Sequence, residues 1–276
     1  MINKFFIYLV ICMAIACVCG YLCLYIRWRN LWAQNKPLQM YKVAHSEDDT
    51  LRIVMIGDSW AKMHKDYDDY FLIRLQSLMM CPIQFESNGK GGERTKGIYH
   101  LMFEEGENGT KPLFSNGPDY CIISAGINDA AANLGTDQYC YYYCQIIDLL
   151  LHNNIKPVII EFPNVDIWTI YKNKPIKDLF VDYLRSTMTH CSMYAFKEYR
   201  ESLRSMLIKK KLIEHILYIP LDSWHGDSDR LNMNLFLKDH IHLNRKGYMM
   251  LDDCLAQMIV NDSKMMYKPV YKDTHN

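Results

Sequence analysis

The sequence has no excess of charge of either sign, since 31 Lys and Arg balance 31 Asp and Glu. No basic run stands out beyond Lys209-Lys210-Lys211, so the chain lacks the electrostatic footprint of a nucleic-acid binder, and that partner class is set aside. There is no C-x-x-C pair among the 10 cysteines. Cys12, Cys17, Cys19 and Cys23 fall inside one apolar segment and cannot staple a soluble domain. Cys81, Cys121, Cys140, Cys144, Cys191 and Cys254 lie mostly in apolar patterns, where free cysteine behaves as a small core residue. No zinc site and no cofactor are expected. Free thiols suit a reducing compartment or an anaerobic organism, and leave the disulfide state of those six open.

At 276 residues, half of them hydrophobic, the chain can bury a sizeable core, and one main domain is expected. Phe5 to Ile26 carries no charge and spans roughly 33 Å as a helix, enough to cross a bilayer. Residues 1–27 therefore read as a single-pass membrane anchor. A cleaved signal peptide competes, with Ala14-Ile15-Ala16-Cys17 hinting at a lipoprotein cleavage site, but the apolar run continues through Leu24 and Tyr25. Lys4 before the run, against Arg27 and Arg29 after it, leans towards a cytoplasmic main domain by a small margin, so the membrane side stays open.

Residues 28–50 mix polar and aromatic side chains without a period and read as a linker. From Leu51 a β/α alternation begins. Ile53–Ile56, Ile83–Glu86, Asp119–Ser124, Pro157–Phe162 and His215–Ile219 read as strands. Helical spacing appears at Asp66–Met80, Thr95–Glu105, Thr136–His152, Asp178–Leu212 and Arg245–Val260. This pattern predicts an α/β fold of about five parallel strands with helices on both faces. Residues 51–260 form the expected main domain and 261–276 a polar tail.

In such a sheet the carboxyl ends of all strands share one edge, where open α/β folds bind ligands. Gly57-Asp58-Ser59 follows the first strand, the Gly89–Gly92 loop the second, and Gly126-Ile127-Asn128-Asp129 the third. Lys238-Asp239-His240-Ile241-His242 precedes the last helix and reaches the same edge. Alone, Gly57-Asp58-Ser59 reads as a capped turn, and Asn128-Asp129 as a helix cap, as readily as chemistry. Together they supply what serine acyl transfer needs: a hydroxyl, a base, a carboxylate three residues from that base, and oxyanion donors. His240, one position off in register, should point away.

These blocks, in this order, resemble the SGNH (GDSL-type) hydrolases over Leu51 to about Val260. The resemblance implies a three-layer α/β/α sandwich (flavodoxin-like) and ester cleavage without a metal. It implies Ser59 as nucleophile, and Asp239 and His242 from the D-x-x-H block as its relay. It further implies an oxyanion hole of the Ser59 and Gly92 amides with the Asn128 side chain. Leu243-Asn244 and Gly247-Tyr248 also look like the family. Between Gly91 and Gly92 the latter is preferred, because an acidic residue follows it. The G-x-S-x-G elbow is excluded, since Ala61 stands two after Ser59.

Trp60 departs from the family's small aliphatic residue and is expected to reshape the acyl pocket. Trp168, Tyr171 and Trp224, in loops that can border the edge, are candidates for stacking on a sugar ring, although packing is the commoner use of such residues. The substrate is accordingly expected to be an ester-bearing small molecule or glycan, with O-acetyl groups on carbohydrate favoured. An acyltransferase using the same acyl-enzyme, and a non-catalytic membrane-tethered binding module, are the alternatives. Nothing in the sequence sets the oligomeric state.

Overall fold

The computed structural model describes the chain except residues 1–3, 34–39, 68, 134, 164–171, 173, 194, 222, 223, 225–232 and 267–276. Helix α1 (Lys4–Ala33) is followed by β1 (Leu51–Gly57), α2 (Ser59–His64), α3 (Tyr70–Leu78), β2 (Ile83–Gly89), α4 (Thr95–Leu101), β3 (Tyr120–Ser124), α5 (Ile127–Ala132), α6 (Thr136–His152) and β4 (Lys156–Ile160). Then come α7 (Ile176–Thr189), α8 (Phe196–Lys209), β5 (Leu217–Ile219) and α9 (Arg245–Met266). The sheet has the order β2-β1-β3-β4-β5, parallel throughout.

The central strands β1, β3 and β4 are nearly continuous buried runs because both faces of the sheet are covered there, while the edge strand β2 turns Gln84 and Glu86 outwards. Alternate residues serve opposite cores. Val54, Ile56, Ile123 and Ile159 pack with α4, α6 and α8, while Ile53, Met55, Ile122 and Ile160 pack with α2, α3 and α9. This is the three-layer sandwich expected.

The structure departs from expectation in three places. The stretch from Asp178 to Leu212 is two helices, α7 and α8, because His190 takes a left-handed conformation (φ 56°) that ends the first. The turn is held there by Asn133, whose side chain donates to the Ser192 carbonyl (3.1 Å). The last helix passes Val260 and runs to Met266, since Ser263 still faces inward and Asp262 accepts from Lys156 (2.6 Å) and the Tyr120 hydroxyl (2.8 Å). The segment from 28 to 50 begins as the end of α1, and its later part is docked: Tyr41 donates to the Met102 carbonyl (2.9 Å) and the Val43 amide to the Asn153 side chain (2.8 Å).

Among the described residues one helix, within Lys4–Arg29, is long and apolar enough to cross a membrane. All ten cysteines are free. Cys121 and Cys144 are buried in the cores, as small apolar residues are.

Candidate active site

Gly57 ends β1 against β3 so closely that a Cβ there would lie 2.2 Å from the Ser124 carbonyl oxygen, which requires glycine. The chain then turns at Asp58. Its carboxylate accepts from the Trp60 amide (3.0 Å) and from the Ser124 hydroxyl (3.0 Å), capping α2 and fixing Ser59 as that helix's first residue.

The partner arrives on a tight turn between β5 and α9. Phe236 and Leu243 bridge antiparallel, the Leu237 amide donates to the His242 carbonyl (2.7 Å), and His240 takes the left-handed position (φ 61°). Within this turn Asp239 Oδ1 accepts from the amides of Ile241 and His242, both at 2.9 Å. Its Oδ2 lies 2.6 Å from His242 Nδ1, and His242 Nε2 lies 2.9 Å from Ser59 Oγ. Of the two histidines in the H-x-H, His242 is the one that meets the serine. Burial raises the Asp239 pKa, but the bonds from the His242 ring and the two amides outweigh it, and the carboxyl is held below its usual range.

Trp60 does not line an acyl pocket. Its side chain is buried with Phe71, Leu243 and Tyr248, and its indole Nε1 donates to the Ile241 carbonyl (3.1 Å). Burying such a ring contributes on the order of 3 kcal/mol, more than an exposed rim position would return. The consequence is positional: Trp60 ties the serine's helix to the histidine's turn. Trp224 is likewise buried, packed near Phe236. Trp168 and Tyr171 lie outside the described residues, as does His225.

Asn128 sits in the first turn of α5. Its Nδ2 donates to the Glu93 carbonyl (2.9 Å) and has a longer contact with Asp58 Oδ2 (3.4 Å). Gly126 before it is left-handed (φ 115°), and a Cβ there would meet the Tyr139 hydroxyl at 2.7 Å and the Phe162 ring at 2.8 Å. In the loop after β2, Gly92 is left-handed (φ 72°) with open space around it. Among the described residues no acceptor takes its amide.

Sequence reading missed the role of Asp129. It does not cap its own helix; Oδ2 accepts from the Thr95 amide (2.9 Å) and hydroxyl (2.8 Å), so it holds the N-terminus of α4 and with it the glycine loop. The side chain of Ser124 was also missed. The register Gly57↔Ser124 was the signal, legible only once β1 and β3 are paired.

Burial pushes both Asp58 and Asp129 up to about 6. For Asp129 the folded state therefore binds a proton more readily than the unfolded chain, whose carboxyl titrates near the ordinary aspartate value of 3.8. Stability from this group is present at low pH and falls as pH rises through about 6. Relative to wild type, Asp129→Asn should gain about 2 kcal/mol between pH 4.5 and pH 8, read from urea midpoints at the two values. A gap moving the other way would mean that Thr95 holds the carboxylate ionised.

Among the described residues no group of three or more His, Cys, Asp or Glu is placed to hold a metal. Outside the site, His64 is buried and paired with Asp252 (2.7 Å) beneath α2.

The profile of the GDSL-like Lipase/Acylhydrolase family matches residues 55–250. No curated protein matches the chain. Solved structures do, at low identity. A lipase/acylhydrolase from Enterococcus faecalis superposes with a TM-score of 0.54 at 14% identity, covering 77% of this chain and 96% of its own. A GDSL-like lipase from Bacteroides thetaiotaomicron gives 0.52 at 15%, over 87% and 98%. An acetylxylan esterase from Geobacillus stearothermophilus gives 0.52 at 15%, over 79% and 96%. These likenesses show the shared fold, and the profile spans most of the chain, including the serine, the Asn128 block and the histidine turn. The chain belongs to the GDSL-like lipase/acylhydrolase family.

Proposed function

We propose that this protein is a membrane-anchored serine esterase. Ser59 Oγ attacks the acyl carbonyl carbon as His242 Nε2 takes the hydroxyl proton, and the same proton passes to the departing alkoxide. Water then repeats the sequence and frees the acid. Asp239 holds the imidazole so that Nε2 faces the serine. The observation that carries this reading is the continuous chain of contacts from Asp239 through His242 to Ser59, at 2.6 and 2.9 Å.

For the oxyanion we assign the amides of Ser59 and Gly92 and the Asn128 side chain. A primary amide has two N–H groups. Glu93 takes one at 2.9 Å, and the other has only the 3.4 Å contact with Asp58, too long to hold it from a better acceptor. Substrate is assigned as an O-acyl, chiefly O-acetyl, ester on carbohydrate, supported by the likeness to an acetylxylan esterase. The anchor is the apolar part of α1, within Lys4–Arg29.

The testing experiment is labelling of the full chain with a fluorophosphonate, followed by mapping of the adduct. An adduct on Ser59 is expected. Folded protein that takes no label would favour a binding module with the same fold. In the same assay Asn128→Ala should slow turnover of an acetyl ester by about 100- to 1,000-fold, the usual cost of one oxyanion donor. An unchanged rate would remove Asn128 from the site.

A further inference from the structure

Helix α7 is turned inside out. Ile176, Phe180, Val181 and Tyr183 are 85, 60, 38 and 55% exposed, and the helical repeat sets Ile176, Phe180 and Tyr183 along one line. One charged residue points inward: Asp182 is 4% exposed and paired with Lys174 and Arg185, and Met188 is the other buried residue of the helix. An amphipathic helix of a soluble domain turns its apolar stripe to the core. Here the helix instead buries Asp182 and Met188, and Asp182 is neutralised locally, by Arg185 one turn on in the same helix and by Lys174 just before it. Exposed Ile73 and Ile208 stand singly on their own helices and need no such account.

The place of α7 in the fold says what covers the stripe. Helix α8 is the crossover that carries the chain back to the amino edge of the sheet, so α7 is an added element at the carboxyl edge, the edge of Ser59. The turn at its end is held there, where the Asn133 side chain just after α5 donates to the Ser192 carbonyl (3.1 Å). The anchor reaches the same spot. A Cβ on Gly135, the residue before α6, would lie 3.7 Å from Thr189 and 4.0 Å from the ring of Trp28. Trp28 ends the apolar stretch of α1, where aromatic residues sit at headgroup depth.

We propose that α7 is a second membrane contact that lies along the bilayer surface. Its outward stripe of Ile176, Phe180, Val181 and Tyr183 enters the headgroup and acyl boundary, and the Ser59 edge is held towards the lipid. Lys177, exposed beside the stripe, reaches back to the headgroups. This rests on the reading of α1 as a membrane anchor.

The test uses the full chain in phosphatidylcholine and phosphatidylglycerol vesicles that carry an alkyne-tagged lipid. The photo-crosslinker p-benzoylphenylalanine is placed in turn at Ile15, Phe180 and Ile208, each variant being checked for a wild-type melting midpoint. Ile208, at the far end of α8, is as exposed and as apolar as Phe180 but lies towards the opposite edge of the sheet. Lipid adduct at 180 should exceed that at 208 by at least about tenfold, the partition expected from burying one large apolar side chain. Strong adduct at 15 with equal, weak adducts at 180 and 208 would overturn the proposal and leave the anchor standing. No adduct at 15 would remove the anchor and the proposal with it. A crosslink from 180 to a second copy of the chain would overturn the proposal in favour of a dimer surface.

Discussion

Ser59→Ala is expected to lower kcat/KM for an acetyl ester by about 10⁴- to 10⁶-fold, the range seen when a serine nucleophile is removed and the oxyanion donors stay in place. The substitution deletes one hydroxyl from a buried helix-start position. What holds that position is untouched: the Asp58 cap, the Ser124 bond and the packing of Trp60. Stability should therefore fall only by about 1 kcal/mol, the net value of the lost bond to His242. Circular dichroism with a melting curve separates loss of chemistry from loss of fold, and initial rates give the kinetic effect. His242→Ala should cost about as much, and the double variant hardly more, because the two act as one unit. Wild-type activity in Ser59→Ala would end the serine mechanism; additive losses would mean that serine and histidine act in separate steps.

The sheet was legible because its central strands β1, β3 and β4 are mostly apolar runs, and parallel strands buried on both faces leave that mark. The D-x-x-H spacing was legible for a related reason. Within a turn of four residues the backbone itself delivers Asp239 to His242 Nδ1, so the pairing depends little on distant packing. Direction was not legible. Trp60 and Trp224 carry no signal in sequence that says whether an indole faces substrate or core, and both face the core. Asn128 and Asp129 looked like caps for their own helix. Asp129 caps α4 instead, a partnership set by the packing of two loops far apart in sequence. Helical periodicity marked Asp178 to Leu212 as helical but did not say which face of α7 meets the core. Periodicity reports that a face is apolar; only the tertiary arrangement reports whether the core or something outside the chain covers it.

The carboxylate of the relay carries the second large effect, and its two obvious replacements should differ in an unexpected order. Asp239→Asn should lower kcat by about 10⁴-fold. The Asn oxygen would keep the Oδ1 place, accepting from the Ile241 and His242 amides, because these backbone donors are fixed by the turn. Its NH₂ would then face His242 Nδ1. An amide donor at Nδ1 makes that nitrogen the acceptor and puts the imidazole proton on Nε2, where it cannot take a proton from Ser59. Asp239→Ala removes the orienting group altogether but imposes no tautomer. The Asp239 side chain is 45% exposed, so water can occupy the vacated place and accept from Nδ1–H. The alanine variant should accordingly be about tenfold more active than the asparagine variant, even though it deletes more. Steady-state rates of the two proteins at one pH decide the matter. If asparagine proves the milder change, Asp239 acts by holding the turn together through its two backbone bonds, and the orientation of His242 is set elsewhere.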